Sequence, residues 1–174
     1  MKKFKVFILD VDGVMTDGKF YYSNKGKIMK VFGPDDNDAL SLLSNYINIQ
    51  FVTGDKKGYS ISKKRIKEDM GFKINLVSTI KRIDWIKDKF KLSEVIYMGD
   101  GIFDHYVMKE VGYSIATMNS DKNAKDSADY ITKRNGSERA VAEASLHIMK
   151  KFFNPYNPNK PIKSKSKLSG SWST

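Results

Sequence analysis

The feature that most constrains this chain is where its polar clusters fall. Phe4 to Leu9 is a short, mainly apolar run, the kind a parallel sheet buries on both faces. It ends on Asp10-Val11-Asp12-Gly13-Val14-Met15-Thr16-Asp17-Gly18. Asn48 to Val52 ends on Thr53-Gly54-Asp55-Lys56, and Glu94 to Met98 ends on Gly99-Asp100-Gly101-Ile102-Phe103-Asp104. In open α/β sheets, ligands bind beyond the carboxyl ends of the strands. A chain that sets polar, mostly acidic groups at three such ends is built to place them side by side.

The remaining segments agree with that reading. Helical patterns cover Asp36 to Tyr46, Gly58 to Met70, Thr79 to Phe90, Phe103 to Val111 and Ser137 to Phe153. Short strands are expected at Ile74 to Val77, Tyr113 to Ala116 and Asp129 to Ile131. Lys19 to Ser23 and Lys27 to Phe32 flank Asn24-Lys25-Gly26, a hairpin signature. Strand and helix alternate at βαβ lengths. The expected fold is α/β, a three-layer Rossmann-like core with a parallel sheet and a small β-hairpin insertion after the first strand.

Composition sets the limits. There is no cysteine, which removes disulfides and thiolate chemistry, and only two histidines, His105 and His147. No apolar run approaches the roughly 18 residues of a membrane span. The apolar run after MKKFK is too short for a secretory leader and lacks a cleavage site, so a cytoplasmic protein is expected. Net charge is +11, and the tail Asn154 to Thr174 holds four lysines, three of the four prolines and no acid. Without those lysines the body carries +7. Two segments follow: a domain over residues 1–153 and a basic Pro/Lys/Ser-rich tail over 154–174, expected to be flexible.

The residue types at the strand ends define a chemistry. Two carboxylates from different strand ends, with a backbone carbonyl, suit Mg²⁺, a hard cation that prefers oxygen ligands. A carboxylate can also accept a phosphoryl group as nucleophile, and a second one two residues on can protonate the leaving oxygen. A threonine hydroxyl and a lysine ammonium suit the phosphoryl oxygens. Asp17 reads as a turn cap, and His105 and His147 as packed or exposed residues. Asp35, Asp36 and Asp38 read equally as a helix N-terminal cluster or as substrate contacts.

The ordered set Asp10-x-Asp12-Gly13-Val14-x-Thr16-Asp17-Gly18, Thr53-Gly54, Lys81 and Gly99-Asp100-x-x-x-Asp104 resembles the motifs of the haloacid dehalogenase-like superfamily. It is most similar to the capless branch that includes the 3-deoxy-D-manno-octulosonate 8-phosphate phosphatases and the nonulosonate 9-phosphate phosphatases. The likeness spans about residues 4–150. It implies that Asp10 is the nucleophile, Asp12 the general acid/base, and Lys81 the lysine that balances the charge of Asp10 and phosphate. It implies phosphate binding by Thr53, Gly54 and Lys81, and metal binding by Asp10, Asp12 through its carbonyl, and Asp100. Asp104 would orient the metal's waters. It further implies Mg²⁺ as cofactor, a phosphorylated sugar acid as substrate, a role in surface-polysaccharide precursor synthesis, and a homotetramer.

Departures bear on specificity. Asp55 stands where the octulosonate enzymes usually carry Arg, Asp35-Asp36 where they carry Arg-Asp, and Gly136-Ser137-Glu138-Arg139 where they carry Gly-Gly-Arg-Gly. Asp36, Asp55 and Arg139 are therefore the candidate substrate residues. Gly101 replaces one acid of the usual Gly-Asp-Asp.

Two rival classes remain. One is a nucleic-acid-binding module on an α/β scaffold, suggested by the positive charge and the lysine-rich helix Lys56 to Lys67. No nucleic-acid motif supports it, and the aromatics do not cluster into a stacking surface. The other is a non-catalytic member of the same superfamily that only assembles. The joint presence of Asp10, Asp12, Lys81 and Asp100 argues against that.

Overall fold

The computed structural model describes residues 4–160. Residues 161–174, most of the basic tail, lie outside the described residues. Eight strands and six α-helices follow one another as β1 (Val6–Asp10), β2 (Tyr21–Ser23), β3 (Gly26–Met29), α1 (Asp36–Leu43), β4 (Asn48–Thr53), α2 (Tyr59–Lys63), β5 (Lys73–Leu76), α3 (Arg82–Lys87), β6 (Val95–Gly99), α4 (His105–Met108), β7 (Tyr113–Ala116), α5 (Lys122–Ser127), β8 (Tyr130–Ile131) and α6 (Ala140–Phe152). Six strands form one sheet in the order β5-β4-β1-β6-β7-β8, and every pairing in it is parallel.

Strand alternation explains the layers. On β1, Phe7 and Leu9 face one side and Val6 and Ile8 the other. The first pair joins Phe51, Ile96, Met98 and Ile115 under α1 and α6, with Leu40, Leu43, Ala144 and Ile148. The second pair joins Val52, Val95 and Tyr97 under α3, α4 and α5, with Ile86, Met108 and Ala124. Both faces are covered, as a parallel sheet requires. The expected α/β core is thus observed, and so is the hairpin after β1: β2 and β3 pair antiparallel, apart from the main sheet. Asn24 and Lys25 make the turn between them, and Gly26, at φ 112, opens β3.

Some elements differ from expectation. The helix expected over Gly58 to Met70 is α only through Lys63 and continues as a wide π-helical turn over Lys64–Asp69. The helix expected from Thr79 begins at Arg82. Helix α5 is an addition. It is polar apart from Ala124, so it shows no apolar period, and it starts where the Asp121 carboxylate accepts the Asn123 N–H at 2.8 Å. No helix among the described residues is long and apolar enough to cross a membrane.

Candidate active site

β1 lies between β4 and β6, so their carboxyl ends bring Asp10, Thr53 and Asp100 together. Asp10 is the last residue of β1 and pairs in register with Val52, one position before Thr53. Carboxylate oxygens of Asp10, Asp100 and Asp104 all lie within 4.8 Å of one another. Gly13, at φ 85, lets Asp100 pack against the loop after β1. A Cβ there would sit 1.9 Å from Asp100 Oδ2, and the backbone is in the left-handed region that favours glycine.

A buried cation anchors the cluster, and it is Arg82 rather than Lys81. Arg82 is 1% exposed. Its Nη1 lies 3.0 Å from Asp10 Oδ2, and its Nη2 donates to Asp10 Oδ1 at 3.3 Å. Nη1 also donates to Asp104 Oδ1 at 2.9 Å and to the Tyr97 hydroxyl at 2.7 Å. Lys81 precedes α3 and its side chain is exposed, so the helix turns the lysine outward and the arginine inward. The signal was in the helical period. Arg82 stands four residues before Ile86, and both are buried on the same face.

Asp104 is saturated. Its Oδ1 accepts from Tyr97 and Arg82, and its Oδ2 accepts the backbone N–H groups of Asp100 and Gly101 at 3.0 and 2.8 Å. It therefore fixes the loop that carries Asp100 more than it offers a free ligand atom. Gly101, which lacks the second acid of the usual motif, serves here through its N–H. Asp10 and Asp100 remain as the carboxylates suited to hold Mg²⁺, a hard oxygen-seeking cation.

The electrostatics fit a cation at this place. Burial, and then the neighbouring Asp10, Asp104 and Asp12, push Asp100 up to about 8 despite Arg82. Burial raises Asp10 to about 6, with Arg82 working against it and Asp104 adding to it. Burial also opposes the charge on Arg82, but Asp10, Tyr97 and Asp104 hold its pKa well above the usual value. Three crowded acids with one internal cation are short of positive charge, which a divalent ion would supply.

Asp12 lies at the rim. Its Oδ2 accepts the Thr53 hydroxyl at 3.2 Å, and its Oδ1 lies 2.6 Å from the Lys30 ammonium. Thr53 also accepts the Asp55 N–H at 3.1 Å, and Gly54 follows at the exposed mouth. Asp55 faces this site. Lys27 and Lys30 lie 2.7 and 2.9 Å from its Oδ2, and the Gly58 N–H donates to its Oδ1 at 3.0 Å. Burial alone would raise Asp55, but bonds from Lys27, Lys30 and the Gly58 N–H outweigh it and bring it to about 2. Neither Lys27 nor Lys30 stands out in the sequence, because one lysine among many in a hairpin carries no signal.

Two other candidates go elsewhere. Asp36 is 1% exposed and accepts the Ala142 N–H at 2.8 Å, satisfying a donor in the first turn of α6. It is not available to a substrate; it sits in the first turn of α1, as the helix reading has it, but its bond goes to α6. Arg139 pairs with Asp35, and both line a groove of about 820 Å³ with Leu42, Tyr130, Leu146 and Tyr156. That groove lies between α1 and α6 and contains none of the acids of the strand-end cluster. Asp17 accepts the Lys19 N–H, as a turn cap does. His147 stacks on Tyr130 and shares a 2.9 Å hydrogen bond with Tyr113, and His105 Nδ1 meets the Ile102 carbonyl.

Comparison with known proteins places this arrangement. Residues 87–144 match the model of a family described as haloacid dehalogenase-like hydrolase. The 3-deoxy-D-manno-octulosonate 8-phosphate phosphatase of Salmonella typhi is 29% identical over 149 residues, covering 80% of this chain and 76% of that protein. The Escherichia coli K12 enzyme of the same name is 28% identical over 149 residues, with the same coverage. Among solved structures, the Moraxella catarrhalis 3-deoxy-D-manno-octulosonate 8-phosphate phosphatase aligns with TM-score 0.73 and 27% identity, over 86% of this chain and 87% of that one. That crystal holds a magnesium ion, a phosphate ion and a KDO molecule. The cobalt-bound Haemophilus influenzae phosphatase aligns with TM-score 0.74 and 26% identity, over 85% of this chain and 88% of that one.

Proposed function

The chain belongs to the haloacid dehalogenase-like superfamily and is a phosphoric monoester hydrolase, and from that premise we propose that it dephosphorylates a sugar-acid phosphate through an aspartyl-phosphate on Asp10. The observation that carries this reading is the position of Asp10. It ends the central strand, its two oxygens face the two terminal nitrogens of Arg82, and Asp100 crowds it from the next strand.

The steps follow from the side chains. An Asp10 oxygen attacks phosphorus while the bond to the sugar oxygen breaks. The electron pair goes to that oxygen, which takes a proton from Asp12. Asp12 then removes a proton from water, whose oxygen attacks the phosphorus and releases phosphate from Asp10. Arg82 orients Asp10 and offsets its charge. The Gly54 N–H would bind a phosphoryl oxygen, and the Thr53 hydroxyl, which donates to Asp12 at 3.2 Å, would share its proton with a second. Mg²⁺ would be held by the carboxylates of Asp10 and Asp100 and the Asp12 carbonyl, and would supply further charge neutralisation at the transferring group.

For substrate class, the support is the likeness to octulosonate phosphatases, tempered by Asp55. An acid held by two lysines replaces the usual Arg, which favours a nonulosonate 9-phosphate alongside octulosonate 8-phosphate. Such an enzyme would work in the cytoplasm on surface-polysaccharide precursors. A homotetramer completes the reading, since the hairpin leaves Tyr21, Tyr22, Ile28 and Met29 more than half exposed. The site itself, dense in acids, is unsuited to a nucleic-acid backbone.

The test is phosphate release with Mg²⁺ across a panel of sugar phosphates that includes both acids. Turnover should favour the sugar-acid phosphates. A panel in which none of them is hydrolysed refutes the substrate assignment.

A further inference from the structure

Lys30 immediately follows β3 in a segment that otherwise faces solvent. Its neighbours Met29 and Val31 are 53% and 40% exposed. Its own side chain is 0% exposed. An ammonium taken out of water needs acceptors for its three protons. Lys30 donates to Ser62 Oγ at 2.9 Å and is ion-paired with Asp12 Oδ1 at 2.6 Å and Asp55 Oδ2 at 2.9 Å.

The surroundings are shaped to hold it. A Cβ on Gly58 would come 2.8 Å from Lys30 Cε and 2.2 Å from Asp55 Oδ2. Asp55 is itself fixed by Lys27 and by the Gly58 N–H. Asp12 is therefore gripped from two sides, by Lys30 on one oxygen and by the Thr53 hydroxyl on the other.

We propose that Lys30 is a positioning residue for Asp12, orienting the general acid toward the leaving oxygen and tying the hairpin to catalysis. This rests on the aspartyl-phosphate reading above. Enclosed between Asp12, Asp55 and Ser62, Lys30 is not itself the proton donor. Its work is geometric, because a proton passes in the transition state only from a carboxyl held within hydrogen-bond reach.

The consequence is selective. As the bond from phosphorus to the leaving oxygen breaks, an alkoxide needs the Asp12 proton, whereas p-nitrophenolate leaves without one. A misplaced Asp12 should therefore slow alkyl phosphates far more than p-nitrophenyl phosphate.

The experiment measures kcat/KM with Mg²⁺ for wild type, Lys30→Met and Lys30→Arg. The series runs from p-nitrophenyl phosphate through phenyl phosphate to a simple alkyl phosphate. These compounds carry no sugar, so a lost sugar contact does not mimic the effect. For Lys30→Met, the loss on the alkyl phosphate should exceed that on p-nitrophenyl phosphate by about 10²-fold, the lower range of general acid catalysis. Lys30→Arg should recover part of the difference. An equal loss along the series, or none, overturns the proposal and leaves the phosphatase reading standing. If Lys30→Met does not fold, Ser62→Ala, which removes one acceptor and keeps both carboxylates paired, should show a smaller loss with the same selectivity. A flat effect there overturns the proposal equally. If wild type hydrolyses only the sugar-acid phosphates, the variants are compared on octulosonate 8-phosphate, where Lys30→Met should lower kcat and an unchanged kcat overturns the proposal. Wild type inactive on both the series and the sugar-acid panel, or Asp10→Asn as active as wild type, overturns the phosphatase reading and this proposal with it.

Discussion

Arg82 holds Asp10 with both terminal nitrogens, at 3.0 and 3.3 Å, while one of them also reaches Asp104 at 2.9 Å. This fork shows why one sequence position matters. Arg82 starts α3 on its buried face, and Lys81, one residue earlier, faces water.

Arg82→Met should leave Asp10 and Asp104 without their buried cation. Breaking a buried pair from one side costs about 3–5 kcal/mol, so thermal unfolding should show a large loss, and activity should fall with it. Lys81→Ala should change stability by less than about 0.5 kcal/mol, as exposed substitutions do, and leave kcat/KM within a few fold of wild type. If Lys81→Ala removes activity while the protein stays folded, Arg82 is not the essential cation.

On the proposed mechanism, Asp10→Asn removes both the nucleophile and a metal ligand. Phosphatase activity should disappear while circular dichroism stays that of the wild type. Mg²⁺ should raise the Tm of the wild type through binding to the folded state, and raise that of Asp10→Asn much less. Equal Mg²⁺ stabilisation of both proteins would place the ion elsewhere.

Gly13→Ala tests the close approach behind Asp100. Its Cβ would stand 1.9 Å from Asp100 Oδ2 on a backbone at φ 85. The conformational cost alone is on the order of 1–3 kcal/mol, and the collision must displace Asp100. The expected result is a lower Tm with a larger, separate loss of Mg²⁺ affinity, read by titration calorimetry. Undiminished affinity would mean that Asp100 is not a ligand.

Much of the site was legible because its acids follow strands. A parallel sheet with β1 at its centre fixes Asp10, Thr53 and Asp100 as neighbours before any side chain is placed. What sequence did not reveal depends on register and distance. Choosing Arg82 over Lys81 needs the start of α3 to within one residue. Lys30 reaches Asp12 only because the hairpin folds back over the strand ends. Asp36 turns inward to an N–H that lies 106 positions along the chain. Helix α5 stayed hidden because it buries one residue, Ala124, and so has no stripe to read.

Asp36 offers a pH test remote from the strand-end acids. Burial pushes its carboxyl up to about 7, and the Ala142 N–H only partly offsets this. One of its oxygens is buried without a hydrogen-bond partner. The folded state thus holds this proton more tightly than the unfolded chain, whose carboxyl titrates near 3.8. Stability from the protonated form is present in full below about pH 4 and is lost as pH rises toward 7. Asp36→Asn keeps an acceptor for Ala142 without the charge. At 1.36 kcal/mol per pKa unit, it should be more stable than wild type at pH 8 by on the order of 2–4 kcal/mol. The two proteins should converge near pH 4. Chemical unfolding at the two pH values measures this difference, and a gap that does not change with pH would show that Asp36 titrates alike in the folded and unfolded chain.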